Sequence, residues 1–64
     1  LRHKERMRTR IGEMVARDLG HADPDLAQQV LLLFEGAVAA SGWQGVGAVR
    51  DAARAAGKLL EGAR

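Results

Sequence analysis

The segment that most restricts the fold of this chain is an apolar run, LAQQVLLLFEGAVAA at residues 26–40, that begins just after Asp23 and Pro24. Asp followed by Pro is a typical helix start, because the carboxylate accepts hydrogen bonds from free backbone N–H groups and proline at the first position loses none. The run has apolar side chains around much more than one helix face. It therefore predicts a central helix that is buried on two sides.

A helical wheel divides the apolar residues of this run into a bulky side and a small side. The bulky side suits a core or a pocket and contains Val30, Leu31, Phe34 and Val38. The small side suits a close helix crossing. It lies next to Gln29 and contains Leu33, Gly36, Ala37 and Ala40.

Two turn signals, at residues 20–24 and 42–47, separate this helix from its neighbours. Apolar residues recur at helical spacing before the first turn, at Met7, Ile11, Met14 and Val15. After the second turn they recur at steps of three and four, at Val46, Val49, Ala53, Ala56 and Leu60. Alternating β-branched residues and hairpin dipeptides are absent from the sequence. We therefore predict an all-α fold with helices at about 3–19, 24–41 and 46–61.

Chain length and composition indicate that these helices need a partner. The chain has 64 residues, no cysteine, and aromatic side chains at Phe34 and Trp43 alone. Chains shorter than roughly 70–80 residues usually need disulfides, a metal or a partner subunit to fold stably. Because the sequence begins with Leu1 rather than methionine, we expect a piece of a longer protein. Oligomerisation is the route to stability that this composition favours.

Side chains that could carry chemistry are few and scattered. The hydroxyl side chains are Thr9 and Ser41, and the spacing of His3 and His21 matches no common zinc site. The glycines of GWQGVG at residues 42–47 lack both the leading strand and the lysine of a phosphate-binding loop. We therefore predict no catalytic site, no metal site and no cofactor, and a protein that is not an enzyme.

The first ten residues are strongly basic, but the pattern favours a solvated helix face over a nucleic-acid contact. The positive charges lie on several sides of the helical wheel, at Arg2, Lys4, Arg6, Arg8 and Arg10. A helix-turn-helix over residues 16–29 would leave Gln28 and Gln29 as base readers on a helix too apolar for the major groove. No apolar stretch of about 18 residues and no signal peptide is present, so we expect a cytoplasmic protein with no membrane partner.

The order of these segments resembles the C-terminal domain of the tetracycline-repressor (TetR) family of transcriptional regulators. DPDLAQQVLLLFEGAVAA at residues 23–40 resembles the penultimate helix of that domain, AVRDAARAAGKLL at 48–60 the last helix, and RMRTRIGEMVARDLG at 6–20 the helix before both. The resemblance implies a homodimeric, ligand-responsive repressor. Its DNA contacts would come only from an N-terminal domain that is not present in this chain.

The resemblance further implies that the last two helices pair with those of a second subunit as an intersubunit four-helix bundle. The expected interface residues are Gln29, Leu33, Gly36, Ala37, Ala40, Val49, Ala53, Ala56 and Leu60. The helix before them would border a pocket for a small apolar or amphipathic effector. The expected pocket residues are Met7, Ile11, Met14, Phe34 and Val38, for which simple core packing is the alternative. The rival function is a stand-alone helical dimerisation module without ligand.

Overall fold

The computed structural model describes the backbone of residues 2–64 and the side chains of residues 4–64. Its elements are α1 (Arg2–Leu19), α2 (Pro24–Gln44) and α3 (Gly47–Ala63). Over this part of the chain no residue lies in a β-strand. The prediction of an all-α fold with three helices is confirmed.

The turn between α1 and α2 follows the signals in the sequence. Gly20 ends α1 with φ of 82°, in the left-handed region that glycine tolerates best, and its N–H donates to the carbonyl of Ala16 at 2.8 Å. Asp23 begins α2, because its carboxylate Oδ1 accepts the N–H of Leu26 at 3.1 Å. Pro24 occupies the first turn, where its missing N–H costs nothing. Both helix ends are therefore satisfied locally.

The α2 helix runs about one turn further than the sequence suggested. It includes Gly42 and ends at Gln44, and the chain reverses at Gly45, whose φ is 73°. The N–H of Gly45 donates to the carbonyl of Ser41 at 2.9 Å. Glycine is costly inside a helix by about 1 kcal/mol but does not break one, so Gly42 alone was a weak stop signal. The left-handed conformation of Gly45 is what ends the helix.

The large buried side chains gather where all three helices meet, a region that we call the closed end. Val15 and Val30 are fully buried there. The cluster joins residues from each helix: Ile11, Val15, Leu26, Val30, Leu31 and Ala56. At its edge, Arg64 Nη2 donates to both carboxylate oxygens of Asp18, each at 2.7 Å, and so joins the C-terminal ends of α1 and α3.

The opposite end, where α2 turns into α3, is packed by small side chains alone. We call this region the open end. Its buried cluster consists of Ala37, Ala48 and Ala52, with Leu33 and Ala40 partly buried against it. Trp43 beside it is 77% exposed, although it is one of two aromatic side chains in the chain. The open end therefore buries little apolar surface within one copy.

The molecule exposes more surface than a compact protein of its mass. Its accessible area is 4830 Å², whereas a folded monomer of 6.9 kDa is expected to expose about 4,000 Å². Its radius of gyration is 11.9 Å, compared with roughly 10.7 Å for a compact chain of this length. The excess of about 800 Å² matches the area that each partner contributes to a standard protein interface.

Candidate helix-docking surface

One face of α2 is exposed and uncharged over more than three turns. Its residues are spaced alternately by three and four positions along the sequence: Gln29, Leu32, Gly36, Ala39 and Trp43. Leu32 is 56% exposed and Trp43 is 77% exposed. Glu35, the charged residue within this stretch, borders the face, at about 40° from Ala39 and about 100° from Gly36 around the helix. We call this surface the outer face of α2. An exposed apolar stripe without charges is typical of a surface that another helix covers.

A shallow groove runs beside the outer face, between α2 and α3. The residues that line it are mostly small and apolar: Leu32, Leu33, Gly36, Ala37, Ala40, Gln44, Ala48, Asp51, Ala52 and Ala55. Asp51 is the charged member of this set. A Cβ atom added at Gly36 would meet nothing within 4 Å. The groove can therefore accept side chains from a neighbouring helix that approaches closely.

The expected interface residues on α2 lie at this groove. Leu33, Gly36, Ala37 and Ala40 line it, and Gln29 is exposed on the outer face. Ala37, however, is buried against Ala48 and Ala52 of the same chain. The small side of α2 thus has two roles: part of it packs against α3 of the same chain, and part of it remains at the open surface.

The expected interface residues on α3 lie elsewhere. Val49 and Ala53 are exposed, whereas Ala56 is buried in the closed end and Leu60 packs against it. The α3 wall of the groove consists of Ala48, Asp51, Ala52 and Ala55. The sequence pattern gave weight to the larger residues Val49 and Leu60. The buried side of α3 is instead marked by the four-residue spacing of Ala48, Ala52 and Ala56, because small residues allow α3 to approach Ala37 closely.

The expected effector residues divide between the closed end and the surface. Ile11 is buried in the closed-end cluster, and Met7 and Phe34 are partly buried against it. Met14 is exposed, and Val38 is 64% exposed. The structure thus brings Met7, Ile11 and Phe34 to one cluster and leaves the other two at the surface.

A second groove, which the sequence did not indicate, lies between α1 and the start of α2. Its floor is made of small residues, Gly12, Ala16, Ala22, Pro24 and Ala27. Polar side chains, among them Arg8, Glu13 and Gln28, form its rim. The four-residue spacing of Gly12 and Ala16 along α1 is the sequence signal that corresponds to it.

Polar side chains in the described part of the chain make mostly local contacts, and Arg64 with Asp18 makes a long-range one. Ser41 Oγ donates to the carbonyl of Val38 at 2.8 Å, and His21 Nδ1 lies 3.1 Å from the carbonyl of Ala22. The hydrogen bond from Arg64 to Asp18, together with the attraction between their charges, raises the pKa of Arg64. The side chains of Arg2 and His3 lie outside the described residues.

Among the described side chains, those of residues 4–64, His, Asp and Glu form no group of three that could hold a metal ion. The helices within residues 2–64 are also too short or too polar to cross a membrane. Comparisons with protein-family models, with curated proteins and with solved structures found no match to this chain. The docking surface is the feature of the molecule that points to a function.

Proposed function

We propose that this chain is a homodimerisation segment of a ligand-responsive transcriptional repressor, and that α2 and α3 form a four-helix bundle with a second copy. The uncharged outer face of α2 and its adjoining groove carry this proposal. Closed twofold symmetry lets one such patch serve both subunits, and antiparallel helix pairs bury it as a bundle. The repressor assignment follows from the resemblance to the TetR family. Any DNA contact would come from an N-terminal domain outside this chain.

The surface area supports a second copy as the occupant of this face. The excess over a compact monomer is about 800 Å², and a standard interface takes about that area from each partner. The closed end has a core of large aliphatic side chains, so each copy can fold around α1 and the first half of α2. The open end then supplies the contact between copies.

Effector binding is the second part of the proposal. Met7, Ile11 and Phe34 meet at the closed-end cluster, where a small apolar ligand would compete with their mutual packing. Titration with a fluorescent apolar dye tests this assignment. We expect Phe34→Ala to weaken dye binding and to leave the dimer intact, whereas equal dye binding by the two proteins would assign Phe34 to core packing.

Molar mass measured by light scattering tests dimerisation. We expect the wild type to have twice the 6.9 kDa mass of one chain at micromolar concentration. Gly36→Arg should be a folded monomer, because it introduces a charge at the twofold contact that costs several kcal/mol to desolvate. Gly62→Arg is the matched control, since Gly62 is also an exposed helical glycine with open space beyond it.

A monomeric wild type would contradict the proposal, as would a Gly36→Arg protein that dimerises as well as Gly62→Arg. The encoded sequence upstream of Leu1 separates the repressor from a stand-alone dimerisation module. A helix-turn-helix encoded there supports the repressor, and its absence supports the module.

A further inference from the structure

We infer a specific geometry for this dimer, and the inference rests on the proposed homodimerisation. The two copies of α2 cross antiparallel through their outer faces, with Gly36 of each copy at the twofold axis. The exposed face of α3 that contains Val49 and Ala53 stays outside the contact. This surface differs from the one that the sequence pattern indicated on α3.

Gly36 is the residue on the outer face that allows the closest helix approach. It is exposed, it has no Cβ, and nothing lies within 4 Å of the place where a Cβ would be. The neighbouring Ala39 and Ala40 add little bulk to the same side of α2. Small residues at a crossing point bring helix axes toward the short end of the usual 8–10 Å range. The crossing point is therefore assigned to Gly36.

Side-chain sizes become complementary when α2 is reversed about Gly36. Position 32 then faces position 40, so that the exposed Leu32 of each copy meets the small Ala40 of the other. In the same way position 43 faces position 29, and Trp43 lies over Gln29 of the partner copy. Each bulky group meets a small or flexible one, and no charged pair is buried. An equal and mutual fit of this kind is what a twofold contact requires.

The groove beside α2 gives Leu32 of the second copy a place to insert. Leu32, Gly36 and Ala40 are spaced by four residues along one groove wall, and Ala48 and Ala55 of α3 lie along the other. Rows with three- and four-residue spacing interlock when two helices cross at about 20°, the angle of most four-helix bundles. Insertion of Leu32 would bury a side chain that is 56% exposed in the single copy.

Single-cysteine variants test the geometry directly, because the chain contains no cysteine of its own. A residue at a twofold axis faces itself. With a helix radius of about 2.3 Å at Cα and axes about 8–10 Å apart, facing Cα atoms lie about 3.4–5.4 Å from each other. That separation reaches the range of a disulfide, about 4.4–6.8 Å, when the axes are about 9 Å or more apart. We expect Gly36→Cys to form a covalent dimer for most of the protein under mild oxidation.

Ala53→Cys is the matched control, since Ala53 is exposed on α3 but outside the inferred contact. We expect at least tenfold slower disulfide formation at that position. A mixture of Leu32→Cys and Ala40→Cys proteins should form mainly the mixed disulfide, as only the antiparallel register brings those positions together.

The outcomes distinguish this geometry from dimerisation itself. A wild type of twice the chain mass, combined with slow crosslinking of Gly36→Cys or faster crosslinking of Ala53→Cys, would overturn the geometry and leave the homodimer standing. A wild type that is monomeric at micromolar concentration would overturn both.

Discussion

The closed and open ends of this small fold differ in the size of the side chains that they bury. The closed end collects bulky aliphatic side chains from all three helices and buries Val15 and Val30 completely. The open end buries Ala37, Ala48 and Ala52, while Trp43 remains exposed. A buried alanine methyl contributes about 0.8 kcal/mol, compared with roughly 1.5–3 for a large aliphatic side chain. The closed end can therefore stabilise one copy, whereas the open end leaves apolar surface that the proposed second copy would cover.

The contrast also explains why small residues are concentrated in the second half of the longest helix. Alanine and glycine bring α2 and α3 close together and leave their combined surface flat enough for another helix pair. A larger residue at Ala37 or Ala52 would separate the two helices of one copy. Substitutions at the two ends should therefore differ in how strongly they affect folding.

The first prediction concerns the core of the closed end. Val30→Asp places a carboxylate at a fully buried position without a partner, which costs several kcal/mol. A chain of 64 residues has a total stability of roughly 3–10 kcal/mol. We expect Val30→Asp to lose its helical circular-dichroism signal. Val38→Asp, the same change at a residue that is 64% exposed, should keep it, and equal helicity in both proteins would contradict the burial of Val30.

The second prediction tests the orientation of α3 at the open end. Ala52 is buried against Ala37, so Ala52→Leu should overpack this contact and lower the free energy of unfolding by about 1–3 kcal/mol. The neighbouring Ala53 is exposed, and Ala53→Leu should change stability by no more than about 0.5 kcal/mol. Urea unfolding of both variants measures the difference. A reversed order of the two effects would mean that α3 is rotated by one residue.

The third prediction concerns the start of α2 at the closed end. Asp23→Ala removes the acceptor for the Leu26 N–H and should lower the free energy of unfolding by about 1 kcal/mol. Asp25→Ala removes a nearby acid that interacts only with the helix dipole, and we expect a smaller loss. Thermal unfolding followed by circular dichroism checks the order, and equal losses would argue against the cap.

The smallest effect is expected for the contact between Arg64 and Asp18. Arg64→Ala should lower the unfolding midpoint slightly at low salt, and the difference should vanish at high salt, because both groups are solvent-exposed. Because the pKa of Arg64 is raised in the folded protein, its contribution to the free energy of unfolding is fully present below its ordinary pKa. The contribution is lost only as the pH rises through the raised pKa. Arg64 should therefore add no pH dependence near neutrality. A salt-independent effect would show that this residue stabilises through packing.

The sequence predicts the helices better than it predicts how their faces are used. Asp23, Pro24 and Gly20 act locally, so the limits of α1 and the start of α2 could be derived from neighbouring residues alone. The face of α3 could not, because Val49 and Leu60 appeared more suitable for burial than Ala48 or Ala52. Which side of an alanine-rich helix is buried depends on the distance to its neighbour. That distance is a property of the assembled fold.

The same limit applies to the outer face of α2. Of its residues, Gln29 and Gly36 were expected at an interface, and Gly36 does line the groove. Leu32, Ala39 and Trp43 were not among the expected interface residues, although they share that face. Their exposure became evident only when the positions of α1 and α3 were known.

Quenching of Trp43 fluorescence by acrylamide is the most direct test that the open end is covered by a second copy. Trp43 is the sole tryptophan of the chain, lies on the outer face of α2 and is 77% exposed in one copy. We predict strong quenching in dilute solution and clearly weaker quenching, with emission shifted to shorter wavelength, as the protein is concentrated and dimerises. Quenching that is equally strong at every concentration, while light scattering shows a dimer, would place the contact on another surface. Equally strong quenching of a chain that remains monomeric would contradict the dimer itself.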